Sequence, residues 1–166
     1  DENKEKKIKN LEKRYTLGGL NFEADVIADF EGSLKSVTTS LLYTDVSPKK
    51  ITFISLNQWF DETLFKETTS QPISFPSINK KSYENFRKDY NKVFEQYPNP
   101  LSMLSYDLLG LTYYLLFKNN FEIDNKLFLK KDKFKGISGI FEIRNKKINH
   151  LLNFYKVEDD KFIKIF

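Results

Sequence analysis

Two short segments of the chain contain side chains that could contact a ligand, and each follows a run of apolar, strand-forming residues. The candidate ligand-binding residues are Asp29, Phe30, Glu31, Asn57, Gln58 and Trp59. An aromatic wall with a few orienting polar groups is typical of ligand sites. Trp59, the single tryptophan of the chain, offers a broad apolar face and one N–H donor. The alternative interpretation is that its ring covers the end of a sheet.

Carboxylates near these segments give little support for catalysis. Glycosidases need only two carboxylates, and the pairs Asp29 with Glu31 or Asp61 with Glu62 could supply them. Helix capping and solvation of a loop are the simpler interpretation. Asp107, within an apolar helical run, is interpreted as a buried carboxylate with a local partner rather than as an acid catalyst. We therefore expect no catalytic residues and predict that the chain is not an enzyme.

Histidine, cysteine and glycine-rich motifs also fail to indicate a catalytic, metal or cofactor site. The single histidine, His150, lies in a predicted strand, and the chain contains no cysteine. Disulfides, thiolate catalysis and cysteine–zinc sites are therefore excluded. The sequence contains no nucleophile elbow, Walker loop, dinucleotide fingerprint or zinc-protease motif. Gly18-Gly19 and Gly136-Ile137-Ser138-Gly139 are predicted to be turns, and we expect no metal and no cofactor.

The net charge of +4 and the pI of about 9.0 raise the question of an acidic partner. Lysines supply most of this charge and alternate with acidic residues, which is typical of a solvated surface. Nucleic-acid readers favour the planar fork of arginine, and Arg14, Arg87 and Arg144 are far apart in the sequence. We therefore expect no nucleic-acid partner. No apolar run approaches the roughly 20 residues of a membrane span, so none is predicted in this segment.

The apolar pattern predicts a βαβ unit that positions the candidate residues. Residues 1–20 are highly charged and predict an exposed helix or arm, and residues 21–166 form the rest of the chain. Strands are predicted over residues 24–30 and 51–56, with a helix over residues 33–44 between them. Such a unit favours parallel strands with a right-handed crossover. Both candidate segments should then meet at one edge of the sheet.

Later segments predict further helices and a β-rich end. Residues 62–69 favour a short helix and residues 72–76 a short strand. A helix beginning at Ser82 has an apolar face made of Tyr83, Phe86, Tyr90, Val93, Phe94 and Tyr97. The helix over residues 101–118 is apolar nearly all round, so we expect it to be the most buried element, with Leu108 and Leu115 in the core. Residues 119–135 predict an irregular, partly helical stretch. From residue 136 onwards, the pattern predicts a β-meander or two linked hairpins.

Short motifs in a fixed order carry a resemblance to a known family. They are residues 22–30, Gly32-Ser33-Leu34, residues 51–56 and Gln58-Trp59-Phe60-Asp61-Glu62, then Leu104-Ser105-Tyr106-Asp107, residues 134–141 and residues 152–165. In this order they resemble the bacterial penicillin-binding protein activators, including their Ala-Tyr-Asp-Ala helix and their Phe-x-Gly-x-x-Gly-x-Phe segment. Phe60 is a departure, since the family often has Trp-Asp-Asp at this place.

The resemblance implies a type 1 periplasmic-binding-protein fold, in which two α/β lobes close on a ligand. This chain resembles only the later part. We therefore expect an α/β fold with parallel-sheet βαβ units of an incomplete type 1 fold and a C-terminal antiparallel β-meander, so that residues 21–166 form the C-terminal portion of such a domain.

The implied function is that of a non-catalytic periplasmic ligand- or partner-binding module, similar to the activators and linked to peptidoglycan synthesis. The implied partner is a peptidoglycan synthase or a small polar solute such as an amino acid. The alternative is the solute-binding component of a branched-chain amino-acid ABC transporter. The resemblance also implies a signal or lipid anchor upstream of this segment.

Overall fold

The computed structural model of the chain describes residues 3–7, 22–124, 126–127, 133–144 and 147–166, with Glu31 described by its backbone alone. Residues 3–7 are helical and exposed. The rest of the predicted arm, including Gly18-Gly19, lies outside the described residues. So do parts of the predicted irregular stretch of residues 119–135 and of the predicted turn before Lys147. Within the described ranges, no helix has the length and apolar character needed to cross a membrane.

A five-stranded mixed sheet forms the larger part of the structure. Its strand order is β1-β2-β3-β7-β8, and the strands are β1 (Ala24–Ile27), β2 (Thr52–Ser55), β3 (Ile73–Ser77), β7 (Asn153–Glu158) and β8 (Lys161–Lys164). The first three strands are parallel, and β7 and β8 are antiparallel to their neighbours. Ile27 lies opposite Ser55, so β1 and β2 end at the same edge. The predicted parallel pairing is confirmed.

Three helices connect or flank these strands. They are α1 (Glu31–Tyr43), α2 (Lys80–Phe94) and α3 (Pro100–Lys118). The predicted helix over residues 62–69 is instead two short 3-10 helices, Glu62–Lys66 and Thr68–Ser70. Asparagine side chains cap α2 and α3: Asn79 accepts from the Ser82 N–H at 3.0 Å, and Asn99 accepts from the Leu101 N–H at 2.9 Å. Both caps satisfy N–H groups that a helix start leaves without partners.

The main hydrophobic core lies against the five-stranded sheet. Its fully buried members include Phe53 on β2, Phe75 on β3 and Val157 on β7, and Met103 of α3 joins them. β-Strand positions that point to one face alternate with residues that point away, which explains why Phe53 and Ser55 are buried while Thr52 is exposed. This core supports the strands that carry the candidate residues.

A smaller antiparallel sheet packs against α3. Its strands are β4 (Lys133–Lys135), β5 (Ile140–Arg144) and β6 (Lys147–Leu151), in that order. Leu111 and Leu115 of α3 form a second core with Phe141 and Ile143 of β5. The chain then passes from β6 through Leu152 into β7 of the larger sheet. The β-rich end is therefore the two linked hairpins that the sequence predicts as one of its alternatives, β5–β6 and β7–β8.

The prediction that α3 is the most buried element is wrong. Only one face of the helix is buried. Its buried residues, spaced four apart, are Met103, Asp107, Leu111 and Leu115. Leu108 is 52% exposed, and Leu109 and Phe117 are exposed as well. The apolar composition of the helix defines which residues could be buried, but the described residues supply packing on one side only. The apolar face of α2 departs from the prediction in the same way, because Tyr83 is buried whereas Val93 and Phe94 are exposed.

Candidate functional site

The loops after β1 and β2 are joined by a buried glutamine. The side chain of Gln58 is 4% exposed, and its Nε2 donates to the Asp29 carbonyl at 2.9 Å and to the Leu56 carbonyl at 3.2 Å. A buried amide needs such partners, since an unmade hydrogen bond there would cost free energy. Gln58 therefore fixes the two loops relative to each other at the carboxyl edge of the sheet.

The backbone at Trp59 and Phe60 is in the left-handed region, with φ of 51° and 58°. This conformation is rare for bulky residues and costs about 1–3 kcal/mol per residue. Two hydrogen bonds hold the turn: Trp59 N–H donates to Asn57 Oδ1 at 3.0 Å, and Asp61 N–H donates to the Gln58 carbonyl at 3.0 Å. Strain of this kind concentrates at functional sites.

Phe60 anchors the strained turn in the core. Its ring lies 4.9 Å from the Tyr155 ring and 5.5 Å from the Phe162 ring, both edge-on, and it also contacts Phe75 and Tyr83. Edge-to-face contacts of this kind add to the stabilisation from burial. Phe60, at which this chain departs from the activator pattern, is therefore a buried core residue. Its neighbour Trp59 is partly exposed.

A cleft of about 1030 Å³ opens at this edge of the sheet. Its lining residues include Phe30, Gln58, Trp59, Asp61, Tyr83 and Arg87. The lining comes from the loops after β1 and β2, the first turns of α1 and α2, the 3-10 helices within residues 62–70, and Tyr97 and Pro98 before α3. Small-ligand sites are usually concave and apolar with a few orienting polar groups. This cleft is concave and partly aromatic but more polar, with charged residues such as Lys35, Asp61 and Arg87 in its lining.

An arginine and two tyrosines from α2 and the segment after it form a cation–aromatic cluster in the cleft. The Arg87 guanidinium lies 5.7 Å from the Tyr83 ring centre and 4.6 Å from that of Tyr97. Burial raises the pKa of the Tyr83 phenol above its ordinary value of 10.0; the nearby Arg87 charge lowers it and the Asp61 charge raises it. The Tyr83 hydroxyl is therefore neutral at neutral pH and can donate a hydrogen bond.

Some of the predicted candidate residues line this cleft, and others hold its loops in place. Phe30, Gln58 and Trp59 line it, whereas the Asp29 carboxylate accepts from the Phe30 N–H at 2.8 Å and Asn57 holds the Trp59 backbone. Glu31 begins α1, and its side chain lies outside the described residues. Asp29, Asn57 and Gln58 thus use their polar groups to shape the loops.

Sequence reasoning missed Tyr83, Arg87 and Tyr97. A usable signal was present, because Tyr83 and Arg87 are four residues apart and so share one face of a helix. That helix begins three residues after β3, the third parallel strand, whose carboxyl end meets the same edge as those of β1 and β2. Considering all three parallel strands, rather than two, would have included them.

A second polar cluster lies outside the cleft, around Asp107. Its carboxylate accepts from the N–H groups of Ile137 and Ser138, each at 2.7 Å, and from the Ser138 hydroxyl. His150 Nε2 lies 3.2 Å from the same hydroxyl. In a catalytic triad the histidine stands between serine and aspartate; here the serine stands between them and is 2% exposed. The arrangement fastens a turn, which confirms the interpretation of Asp107 as a buried carboxylate with a local partner.

Among the described residues, neither the cleft nor the Asp107 cluster gathers a set of metal-ligating side chains. Across the described part of the chain, no group of three or more His, Cys, Asp or Glu side chains is placed to hold a metal ion. The cleft at the carboxyl edge instead presents apolar surface, hydrogen-bonding groups and charged side chains.

The parallel β1–β2–β3 sheet with interleaved helices and antiparallel C-terminal strands is part of a type 1 periplasmic-binding-protein-like fold. No protein-family model matches the chain, and no curated protein matches it.

Solved structures are similar at low sequence identity. An extracellular ligand binding receptor from Desulfohalobium retbaense is 16% identical with a TM-score of 0.59, over 86% of this chain and 26% of that one. A solute binding protein of an ABC transporter from Rhodopseudomonas palustris, in complex with 3,4-dihydroxy benzoic acid, is 18% identical with a TM-score of 0.58, over 86% and 44%. The C-domain of LpoA from Haemophilus influenzae, a regulator of PBP1A, is 13% identical with a TM-score of 0.54, over 95% and 49%. The chain thus spans less than half of each of these proteins.

Proposed function

We propose that this chain is part of a non-catalytic ligand- or partner-binding module of the periplasm, similar to the penicillin-binding protein activators and supporting peptidoglycan synthesis. One observation carries the proposal: Trp59, held in a left-handed backbone conformation, lines a cleft of about 1030 Å³ at the edge where β1 and β2 end. In open α/β sheets, this edge is where ligands bind.

The geometry suits binding because the cleft is formed in advance. Gln58 fixes the two loops, Asn57 fixes the Trp59 backbone, and Phe60 holds the turn in the core. A site that is already ordered loses less conformational entropy when a ligand enters. Trp59 and the partly exposed Phe30 then offer apolar surface, and the Tyr83 hydroxyl and the Arg87 guanidinium offer donors.

Contact between two family-like motifs supports the activator-like assignment. Asp107 belongs to the segment that resembles the Ala-Tyr-Asp-Ala helix, and Ser138 belongs to the segment that resembles Phe-x-Gly-x-x-Gly-x-Phe. The two residues are joined by two hydrogen bonds. The two motifs, each of which resembles the same family, are therefore in direct contact in this chain.

A second candidate function is the solute-binding component of an amino-acid ABC transporter. One observation favours it: the Asp61 carboxylate and the Arg87 guanidinium both line the cleft. An anion and a cation in one cleft would suit the α-ammonium and α-carboxylate groups of an amino acid. The two candidates share the fold, so ligand chemistry distinguishes them.

Thermal unfolding of the intact protein with a panel of compounds tests the proposal. The panel consists of a peptidoglycan disaccharide, leucine, benzoate and duplex DNA. A rise in unfolding temperature with the disaccharide, or stimulation of a peptidoglycan synthase by the intact protein, supports the activator-like function. Stabilisation by leucine alone favours the transporter component. A shift with DNA alone that disappears at high salt contradicts both, because such salt dependence marks phosphate binding.

A further inference from the structure

We propose that Arg87 is the anion anchor of the cleft, so that its ligands carry a single carboxylate next to an apolar group. The carboxylate accepts from the Arg87 guanidinium, and the apolar group lies against Trp59. This inference rests on the proposed binding function of the cleft and names the class of ligand that the cleft takes.

Two tyrosine rings hold the Arg87 guanidinium in place. Tyr83 lies one helical turn before Arg87 on α2, and Tyr97 lies in the segment between α2 and α3. Contacts between a guanidinium and the faces of aromatic rings are attractive and leave the N–H groups at the edge of the guanidinium plane. The edge can therefore donate two parallel hydrogen bonds to a carboxylate, which is the strongest arrangement for this pair.

Among the described cations that line the cleft (Lys35, Lys66 and Arg87), Arg87 is the one whose charge lies over aromatic rings. Among the described residues it takes part in no ion pair within 4.0 Å, whereas Glu67 pairs with Lys35 at 2.6 Å. The Asp61 carboxylate accepts from the backbone and hydroxyl of Thr63 at 2.9 and 2.6 Å. Lys35 thus pairs with the Glu67 charge, and Thr63 donates hydrogen bonds to the Asp61 carboxylate without neutralising it. The Arg87 charge has no acidic partner within 4.0 Å among the described residues and can pair with a ligand.

Tyr83 neighbours both the apolar residue and the charged residue of the proposed site, Trp59 and Arg87. Its ring lies 6.2 Å from the Trp59 ring, and the guanidinium lies 5.7 Å from it on α2. Trp59 and Arg87 are therefore neighbours of one ring and both line the cleft, so the proposed ligand spans the Tyr83 ring between them. The basic lining residues Lys35, Lys66 and Arg87 are matched by the acidic residues Asp61, Glu62 and Glu67. Because these charges nearly cancel, a singly charged anion is favoured over one with several negative charges.

Titration of the intact protein with benzoate and with its neutral isostere benzamide tests the assignment. Trp59 is the single tryptophan, so tryptophan fluorescence reports on the cleft directly. We expect benzoate to change the emission with an affinity at least about tenfold higher than that of benzamide, since a charge-assisted pair is lost with the amide. Arg87→Gln should remove most of this difference, and Arg87→Lys should keep part of it. Arg144→Gln, at an exposed position on β5, should leave it unchanged.

The outcomes separate this inference from the proposed function. If benzoate and benzamide bind equally, and Arg87→Gln alters neither affinity, the cleft binds ligands but Arg87 is not its anion anchor. If neither compound changes the Trp59 emission, and no compound of the thermal panel stabilises the protein, the binding function fails together with the anchor. The unfolding temperature of each variant shows whether it is folded, and Arg87→Lys serves as the test if Arg87→Gln does not fold.

Discussion

Gly136 and Asp107 approach each other so closely that no side chain fits between them. A Cβ atom added to Gly136 would overlap the Asp107 carboxylate, with Oδ1 2.6 Å away. This approach lets the carboxylate accept from the N–H groups of Ile137 and Ser138. Because Asp107 lies on α3 and Gly136 follows β4, the contact fastens the β4–β5 turn to the helix.

Gly136→Ala should therefore lower the free energy of unfolding by about 2–4 kcal/mol, through overpacking and the loss of buried hydrogen bonds. Gly110→Ala is the matched control on α3, where an added Cβ meets nothing within 4 Å. The control should be neutral or stabilising by about 0.5–1 kcal/mol, because alanine favours a helix. Chemical denaturation measures both. Equal effects from the two variants would show that the close approach to Asp107 is unimportant.

Truncating two leucines of α3 tests which face of the helix is covered. Leu115 is 3% exposed and belongs to the second core, whereas Leu108 is 52% exposed. Leu115→Ala should cost about 2–5 kcal/mol of unfolding free energy, as is usual for a buried leucine. Leu108→Ala should cost less than about 1 kcal/mol. A large loss at Leu108 in urea denaturation would mean that this side chain is buried in the protein in solution.

The stability of the fold should depend on pH through His150. Burial lowers the pKa of the imidazole below its ordinary value of 6.5; the nearby Asp107 charge and a hydrogen bond with the Ser138 backbone raise it by less. The folded chain therefore binds this proton less readily than the unfolded chain. The contribution of neutral His150 to the free energy of unfolding is fully present above pH 6.5, the ordinary pKa that applies in the unfolded chain. It is lost as the pH falls through 6.5 towards the lower pKa of the folded chain.

His150→Gln is the control for this pH dependence. A glutamine amide can still donate to the Ser138 hydroxyl but does not titrate in this range. We expect the unfolding free energy of the variant to fall less between pH 7 and pH 5 than that of the wild type, measured at several pH values in the same denaturant. Parallel profiles for the two proteins would show that His150 does not contribute.

Gln58→Ala should affect the position of the loops as well as stability. The variant leaves the carbonyl groups of Asp29 and Leu56 without the amide that they accept from. We expect a loss of about 1–3 kcal/mol in unfolding free energy, the usual cost of removing a buried hydrogen-bond partner. Trp59 emission should also change, because its loop is no longer tied to the loop after β1. An unchanged emission maximum and stability would show that Gln58 does not fix the loops.

The parts of the fold that depend on local pattern could be predicted from the sequence. The βαβ unit follows from two apolar runs around an amphipathic helix, and the parallel pairing of residues such as Ile27 and Ser55 follows from it. The burial of Asp107 also followed, since a carboxylate in an apolar helix needs a partner. The βαβ unit could be predicted because its pattern lies within short runs of sequence. The contact of Asp107 could be predicted because a buried carboxylate must have a partner.

Other features depend on contacts that the sequence does not encode locally. The exposure of Leu108 and Phe94 depends on which elements cover α3 and α2, and apolar periodicity does not say what packs on a face. The left-handed backbone at Trp59 had no glycine or asparagine at that position to indicate it. Arg87 joins the cleft through the third parallel strand and the helix that follows it, a relationship visible only once the sheet is assembled.

The most direct test of the binding cleft is calorimetric titration of the intact wild-type protein and of Trp59→Ala with whichever compound of the thermal panel stabilises it most. Loss of an aromatic anchor should weaken binding by more than about 1 kcal/mol, roughly fivefold or more in Kd. Trp59→Phe should retain most of the affinity, and both variants should unfold cooperatively. Equal affinity of Trp59→Ala and wild type would contradict the assignment. So would a Trp59→Ala protein that fails to fold, because the tryptophan would then be a structural residue.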